Sequence, residues 1–383
     1  MLSYWFLVTP AVLLSAAGLL GQQRRSKYII EQLAQSNDWT PPATVIVPVK
    51  GPDEGLRENL AALASLDYPD YELLVVAQTA ADIPVGVLPR NIKVVLAHGG
   101  DASAGEKVRN LQAAVRAVSK RSEVFAFADS DGRPSPRWLR ALVAPLQREG
   151  VGASTGFRWF TPQPATFWSL MAGVWNSVVS GMLGPGDNAF AWGGAMAMRK
   201  ETFYAAHVPE FWKGTVSDDY ALSAAVHAAK LTIAYAPGAL TRTFDRPRAI
   251  PFFRWIARQM TITRVYYPRL WQRGLIAHLL YCVAMTASLI ELWRGYRPAA
   301  AAFAVQLLPG MIQGGLRARL ARRCLPESAA WFRRNSWTHV AFVPLGTWVW
   351  LISFLTSAWS NIIEWRGHSY DLSKMRKTSP RRS

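Results

Sequence analysis

The chain predicts an α/β domain with a mostly parallel sheet, set between apolar segments that reach into a membrane. Three observations carry this. Short runs of core-type residues, "TVIVPV" (44–49), "YELLVVA" (71–77) and "FAFA" (125–128), alternate with stretches of helical spacing, and such alternation places helices on the faces of a parallel sheet. Half of the 383 residues are apolar and 17 are Trp, a residue that gathers where membrane meets water. From residue 275 onward 14 Lys and Arg stand against 4 Asp and Glu. Basic residues beside apolar segments face anionic headgroups or fix topology, so the net charge of +18 points to a bilayer and not to nucleic acid. The length suits a domain of roughly 230–250 residues plus a membrane portion.

Taken in order, residues 4–21, "YWFLVTPAVLLSAAGLLG", are uncharged and about long enough to cross a bilayer. A cleaved signal carries its positive charge before the apolar stretch. Here Arg24, Arg25 and Lys27 follow it, which predicts a retained anchor, with the next domain on the cytoplasmic side of a multi-pass membrane protein. Residues 40–270 read as the catalytic domain. A helix starts near Glu54 between the first two strands, and "EKVRNLQAAVRAV" (106–118) is a second, leading into the strand at 125–128. The apolar stretch 167–184, with Trp168 and Trp175, is either a core helix or an interfacial helix dipping into lipid. Apolar segments near 275–293, 298–316 and 338–359 follow. Either all three span, or one, 298–316 with Pro309, is re-entrant. Residues 360–383 form a basic tail. Cys282 and Cys324 suggest neither a disulfide nor a zinc site, and the six His show no metal-ligand spacing.

Chemistry enters at "ADSDGRP" (128–134). Gly132 and Pro134 stop the strand abruptly, so Asp129 and Asp131 sit at its C-terminal edge, where open α/β sheets place their ligands. An Asp-x-Asp pair there is either an acidic turn or a holder for a divalent metal against a diphosphate. Downstream, "AWGGAMAMRK" (191–200) is a small-residue turn, followed by "GTVSDDYALSAAVHAAK" (214–230). Ser217 is an N-cap, which puts Asp218 and Asp219 in the first turn of a helix. The pair either caps that helix or supplies a general base.

The order of these motifs resembles the inverting membrane glycosyltransferases that include ceramide glucosyltransferase. The resemblance rests on "PVKGPDEGLRENLAALASLDYPDYELLVVAQ" (48–78), "EKVRNL" (106–111), "ADSD" (128–131), "WGGAMAMRK" (192–200) and "SDDY" (217–220), and covers roughly 43–270. It implies a GT-A fold, a UDP-sugar donor, a divalent metal (Mg²⁺ or Mn²⁺) and a lipid acceptor. Carried over by position, Pro48, Lys50, Asp82, Lys107, Asn110 and Asp129 surround the nucleotide sugar. Asp131 with Asp129 holds the metal, and Asp219 is the base that deprotonates the acceptor hydroxyl. Trp192, Gly193 and Gly194 line the acceptor edge. The chain departs from the family at Thr79-Ala80-Ala81-Asp82, where an acidic run is usual, so the first aspartate's register is loose. The family's (Q/R)-x-x-R-W motif is also altered within "FFRWIARQMTITRVYYP" (252–268). There Arg258 and Gln259 take the place near the leaving diphosphate, with Arg254 and Trp255 as neighbours at the membrane edge. "WRG" (365–367) with Tyr370 matches the ending of such enzymes; as bare physics it is an amphipathic membrane exit.

The expected activity is transfer of a hexose to the hydroxyl of a lipid such as ceramide, with a hopanoid or a diacylglycerol as other acceptors. A processive polysaccharide synthase needs more spanning helices and an intact Q-x-x-R-W. A non-catalytic membrane protein on this scaffold has no need of a base at Asp219.

Overall fold

The computed structural model describes residues 2–376 apart from 36, 91 and 100. The last seven residues of the expected basic tail lie outside the described residues. The chain forms two compact units, each assembled from separated segments.

One unit takes residues 29–163, 183–245 and 361–383; against the 40–270 expected for the catalytic domain it leaves out 164–182 and 246–270 and adds 29–39 and 361–383. Its strands are β1 (Ala43–Pro48), β2 (Tyr71–Ala77), β3 (Lys93–Leu96), β4 (Val124–Ala128), β5 (Gly132–Arg133), β6 (Val151–Phe160), β7 (Ala195–Arg199) and β8 (Thr232–Thr243). They form one sheet in the order β3-β2-β1-β4-β7-β6-β8-β5. The half β3-β2-β1-β4 is parallel, as expected. Beyond it β7 runs antiparallel to both β4 and β6, and β5 antiparallel to β8, while β6 and β8 are parallel. The sheet is therefore mixed.

Alternation along the strands sorts the core. Val45, Val47, Val75 and Ala126 face Leu56, Leu60 and Leu63 of the helix Leu56–Ala64. Ile46, Leu74, Phe125 and Phe127 face Val108, Leu111 and Val115 of the helix Glu106–Ala117. Strands covered on both faces read as continuous apolar runs, which is why 44–49 and 125–128 stood out. The chain steps outward from β1 to β2 and β3, then returns to place β4 on the other side of β1. That reversal opens a crevice at the C-terminal ends of β1 and β4.

The same unit ends in a two-stranded hairpin, β9 (Ile362–Trp365) and β10 (His368–Asp371). Its turn residues Arg366 and Gly367 both have positive φ, 50° and 80°, as a tight hairpin of matching twist requires. The membrane exit expected here is instead a folded part of the sheet unit.

The other unit takes residues up to 28, 164–182 and 246–360 and is helical. The N-terminal helix runs Leu2–Ala34, well past the expected end at 21. Phe167–Ser180 starts at a Thr166–Ser169 capping box, and Trp175 stacks on Trp350 with centroids 4.3 Å apart and planes 9° apart. Within the helical unit Trp175 is buried among protein partners, while Phe167 and Met182 at the two ends of the stretch are exposed. Three helices, Ser3–Ala34, Pro268–Trp293 and Pro298–Cys324, are long and apolar enough to cross a membrane. Pro298–Cys324 is uninterrupted through Pro309, and so has the length of a spanning helix. A proline inside a membrane helix is tolerated where neighbours re-satisfy the backbone. The shorter apolar helix is Val343–Ala358.

Candidate active site

Asp129, Ser130 and Asp131 follow directly from β4, at the crevice. Two cations reach them. Lys107, in the first turn of Glu106–Ala117, places Nζ 2.8 Å from Asp129 Oδ1 and 3.1 Å from Asp218 Oδ2. Arg158, on β6, lies 3.6 Å from Asp129 and 3.4 Å from Asp131, with its guanidinium 4.9 Å from the centre of the Trp192 ring. Enclosure by protein opposes ionisation of Asp129, but Lys107 and Arg158 outweigh it and hold the carboxyl below its ordinary range. Asp131 differs. Enclosure, with Asp129 and Asp53 pressing, outweighs Arg158 and holds it above its ordinary range. Asp245 is pushed up to about 7, first by enclosure and then by Asp131. This end of the crevice crowds Asp129, Asp131 and Asp245 around Arg158, and the ligand atoms its carboxylates offer are all oxygen, which fits a hard divalent cation. Among the described residues no group of three or more His, Cys, Asp or Glu forms a ready cage. Mg²⁺-type sites need only one or two carboxylates when substrate phosphates complete the shell.

On the opposite wall, Pro48 closes β1 and Lys50 bridges two acids, Asp82 at 2.8 Å and Glu106 at 3.0 Å. The Thr79 amide and hydroxyl each donate to Asp82 at 2.9 Å, which locks a short turn after β2. Asn110 is buried, and its side-chain oxygen has no hydrogen-bond partner among the described residues. The structure thus gathers Lys50, Asp82, Lys107, Asp129 and Asp131 around the ends of β1, β2 and β4; Asn110 lies one turn beyond Lys107 on the helix Glu106–Ala117.

The third wall is the start of the helix Asp218–Ala228. Ser217 caps it, accepting from the Tyr220 amide at 3.3 Å. Asp218 is buried against Lys107, and enclosure, with Asp219 and Asp129 pressing, raises it to about 6. Asp219 is only half-buried. It accepts from Ser217 Oγ, from the Tyr220 amide at 2.8 Å and from the Gly193 amide at 3.4 Å. Gly193 and Gly194 allow this convergence. A Cβ at Gly194 would stand 2.3 Å from the Trp192 ring and 2.6 Å from Asp129 Oδ2, and one at Gly193 would stand 2.7 Å from Asp218 Oδ2. The Trp192 amide donates to Thr155 Oγ1 at 2.8 Å, which fixes the turn.

Sequence reasoning missed Arg158, Asp53, Glu106, Asp245, Arg366 and His368. A lone arginine inside the otherwise apolar run of β6 was a usable signal, because a charge in a buried strand needs a partner. Asp53, Glu106 and Arg366 lie within stretches that carried the family resemblance but were given no role there; no local signal marked Asp245 or His368, which meet the site only through tertiary contacts. Arg254, Trp255, Arg258 and Gln259 lie on the helix Ala249–Tyr266 of the helical unit. There Trp255 packs edge-on against Trp175, with ring centroids 5.1 Å apart.

A switch-point Asp-x-Asp, a capped acid facing it and a parallel half-sheet joined to a mixed one define an α/β nucleotide-diphospho-sugar transferase domain of the GT-A type. The chain belongs to glycosyl transferase family 21, whose profile matches residues 4–378; it is a glycosyltransferase. No curated protein sequence matches it significantly. Among solved structures it is similar to the mannosyltransferase PcManGT from Pyrobaculum calidifontis, in complex with GDP-Man and Mn²⁺. That likeness has 16% identity and a TM-score of 0.48, over 92% of this chain and 97% of that one. It is also similar to glucosyl-3-phosphoglycerate synthase from Mycobacterium tuberculosis, in complex with Mn²⁺, UDP and phosphoglyceric acid, at 15% identity and a TM-score of 0.37. There the match covers 60% of this chain and 84% of that one.

Proposed function

We propose that the protein is an inverting, membrane-bound hexosyltransferase that moves one sugar from a UDP-sugar to the hydroxyl of a lipid, such as ceramide, at the cytoplasmic leaflet. The observation that carries this reading is a division of labour among carboxylates. Asp129 is held by Lys107 and Arg158, whereas Asp219 is half-exposed and kept in place by neutral donors only. A carboxylate that no cation ties down by a direct ion pair is free to approach the hydroxyl of an acceptor. The three membrane-length helices support an acceptor drawn from a bilayer.

Lys50, Asp82, Lys107 and Asn110 hold the nucleotide, with Pro48 shaping the floor. Asp131, with Asp129, holds a divalent metal. When bound, Mg²⁺ or Mn²⁺ offsets the charge of the departing diphosphate. Asp219 Oδ2 accepts the acceptor's hydroxyl proton as that oxygen attacks the anomeric carbon. The bond to the diphosphate breaks on the opposite face, so the configuration inverts. The Gly193 amide and Ser217 hydroxyl orient Asp219, and Trp192, Gly193 and Gly194 form the acceptor edge. The family resemblance assigns Arg258 and Gln259 to the leaving diphosphate, with Arg254 and Trp255 beside the lipid.

The test incubates purified full-length protein with UDP-glucose, UDP-galactose or UDP-N-acetylglucosamine and a membrane lipid extract, and identifies products by mass spectrometry. One new glycolipid carrying a single hexose is the expected result; its lipid part distinguishes ceramide from hopanoid or diacylglycerol. A ladder of products with rising sugar count would identify a processive synthase instead, and free sugar without glycolipid would overturn the lipid acceptor.

A further inference from the structure

The C-terminal hairpin puts its turn into the crevice of the sheet unit. Arg366 forms an ion pair with Asp53, whose side chain is 7% exposed, and Ser130 of the Asp-x-Asp stretch donates to the same carboxylate at 2.5 Å. One strand further on, His368 Nε2 lies 2.7 Å from Glu106 Oε2, and Tyr370 Oη accepts from the Glu106 amide at 3.2 Å. Glu106 in turn pairs with Lys50, which pairs with Asp82. Beyond the hairpin, Arg376 donates to Gly214 and Glu210 carbonyls through its amide and guanidinium, at 2.8 and 2.7 Å. The hairpin is thus tied to both walls that the proposed function assigns to the donor.

The turn residue itself is unusual. The first position of a turn with two positive φ values favours Asn, Asp or Gly, and a left-handed conformation is strained for any other residue. An arginine there at φ 50° is held at a cost by what its side chain does. Its side chain is 39% exposed and faces a crevice whose carboxylates Asp53, Asp131 and Asp245 all draw on its charge. A planar five-donor fork, partly open to solvent and rigidly placed, matches a phosphate group as well as a carboxylate.

We propose that Arg366 is a donor-binding residue that grips the diphosphate of the nucleotide sugar, with the C-terminal hairpin as the strap that delivers it. The inference rests on the nucleotide-sugar reading above and extends it to a segment remote in sequence from every motif of that site. In the unliganded protein Asp53 holds the guanidinium in place; the incoming diphosphate takes over some or all of its donors.

The test uses full-length protein in detergent with Mn²⁺, comparing wild type, Arg366→Ala and Arg366→Lys. UDP binding is measured by calorimetry and uridine binding by ligand-observed NMR. Charge-assisted hydrogen bonds of the strength involved correspond to about ten- to hundredfold in affinity. Arg366→Ala should lose that factor for UDP and leave uridine unchanged, with Arg366→Lys, which keeps the charge without the fork, in between. Equal UDP affinity in all three proteins would overturn the inference. So would a parallel loss of UDP and uridine in either variant, since that is the signature of an arginine that only braces the pocket. Should Arg366→Ala fail to fold, the UDP-to-uridine ratio of Arg366→Lys decides the matter alone. A wild type that binds neither ligand would bring down the nucleotide-sugar reading itself, and this inference with it.

Discussion

Asp218 and Asp219 are neighbours with the same side chain, and their surroundings give them different tasks. Asp218 is buried on Lys107 and is raised to about 6 by enclosure, with Asp219 and Asp129 adding repulsion. Asp219 sits one residue further into the helix, is only half-buried, and accepts from the Gly193 amide at 3.4 Å. The family resemblance placed the base at Asp219; sequence alone left capping as an equal reading. Removing a general base typically costs ~10²–10⁴-fold in rate. Asp219→Asn should therefore nearly abolish transfer in a UDP-sugar assay and shift stability by less than ~1 kcal/mol, because Ser217 still caps the helix, and it should leave UDP binding intact, because the groups proposed to hold the donor are elsewhere. Asp218→Asn should be milder on turnover. The opposite ranking would move the base by one position.

At the level of elements, the apolar stretch around Trp175 shows how composition leaves a choice that packing makes. A helix apolar on most of its surface is buried either in protein or in lipid. Trp175, on Phe167–Ser180, is 2% exposed and lies between Trp350 and Trp255, so its partners are protein. Trp175→Ala should cost about 3–5 kcal/mol of stability, read as a clear fall in the unfolding temperature of the protein in detergent. An unchanged temperature would mean that the ring rests on lipid instead. The hairpin Ile362–Asp371 teaches the converse. Its Trp, Arg and Tyr fit an amphipathic exit, and only the ion pair of Arg366 with Asp53 and the contact of His368 with Glu106 tie it to the sheet unit.

For the molecule as a whole, the surplus of carboxylate at the crevice should register in its pH dependence. Asp245, at about 7, and Asp218, at about 6, stand above the ~4 of an unfolded aspartate. Between those values the folded chain keeps a proton that the unfolded chain has released. Stability therefore falls as pH rises from about 4 to about 7, and the penalty is complete above that window. For Asp245 alone it is at most about 4 kcal/mol, from three units at ~1.4 kcal/mol each. Without divalent metal the unfolding temperature should be lower at pH 8 than at pH 6. Mg²⁺ or Mn²⁺ should narrow the gap, and Asp245→Asn should narrow it without metal. A rise in unfolding temperature from pH 6 to pH 8 in metal-free buffer would contradict this account.

What the sequence by itself determined is whatever depends on near neighbours along the chain. Buried strands show as apolar runs at 44–49, 71–77 and 125–128, the Asp-x-Asp as a strand edge, the cap at Ser217 as a helix start, and the apolar helices as length and composition. Each is set by local periodicity or by backbone groups within a turn, so each is legible without a fold. Tertiary structure alone decided the rest. It made β7 antiparallel between β4 and β6, and drew Arg158, Asp53 and Asp245 to the Asp-x-Asp. It also carried Arg366 across more than three hundred residues to Asp53. Such contacts leave no periodic trace, because a charge is placed by the distant partner that offsets its burial and not by the residues beside it.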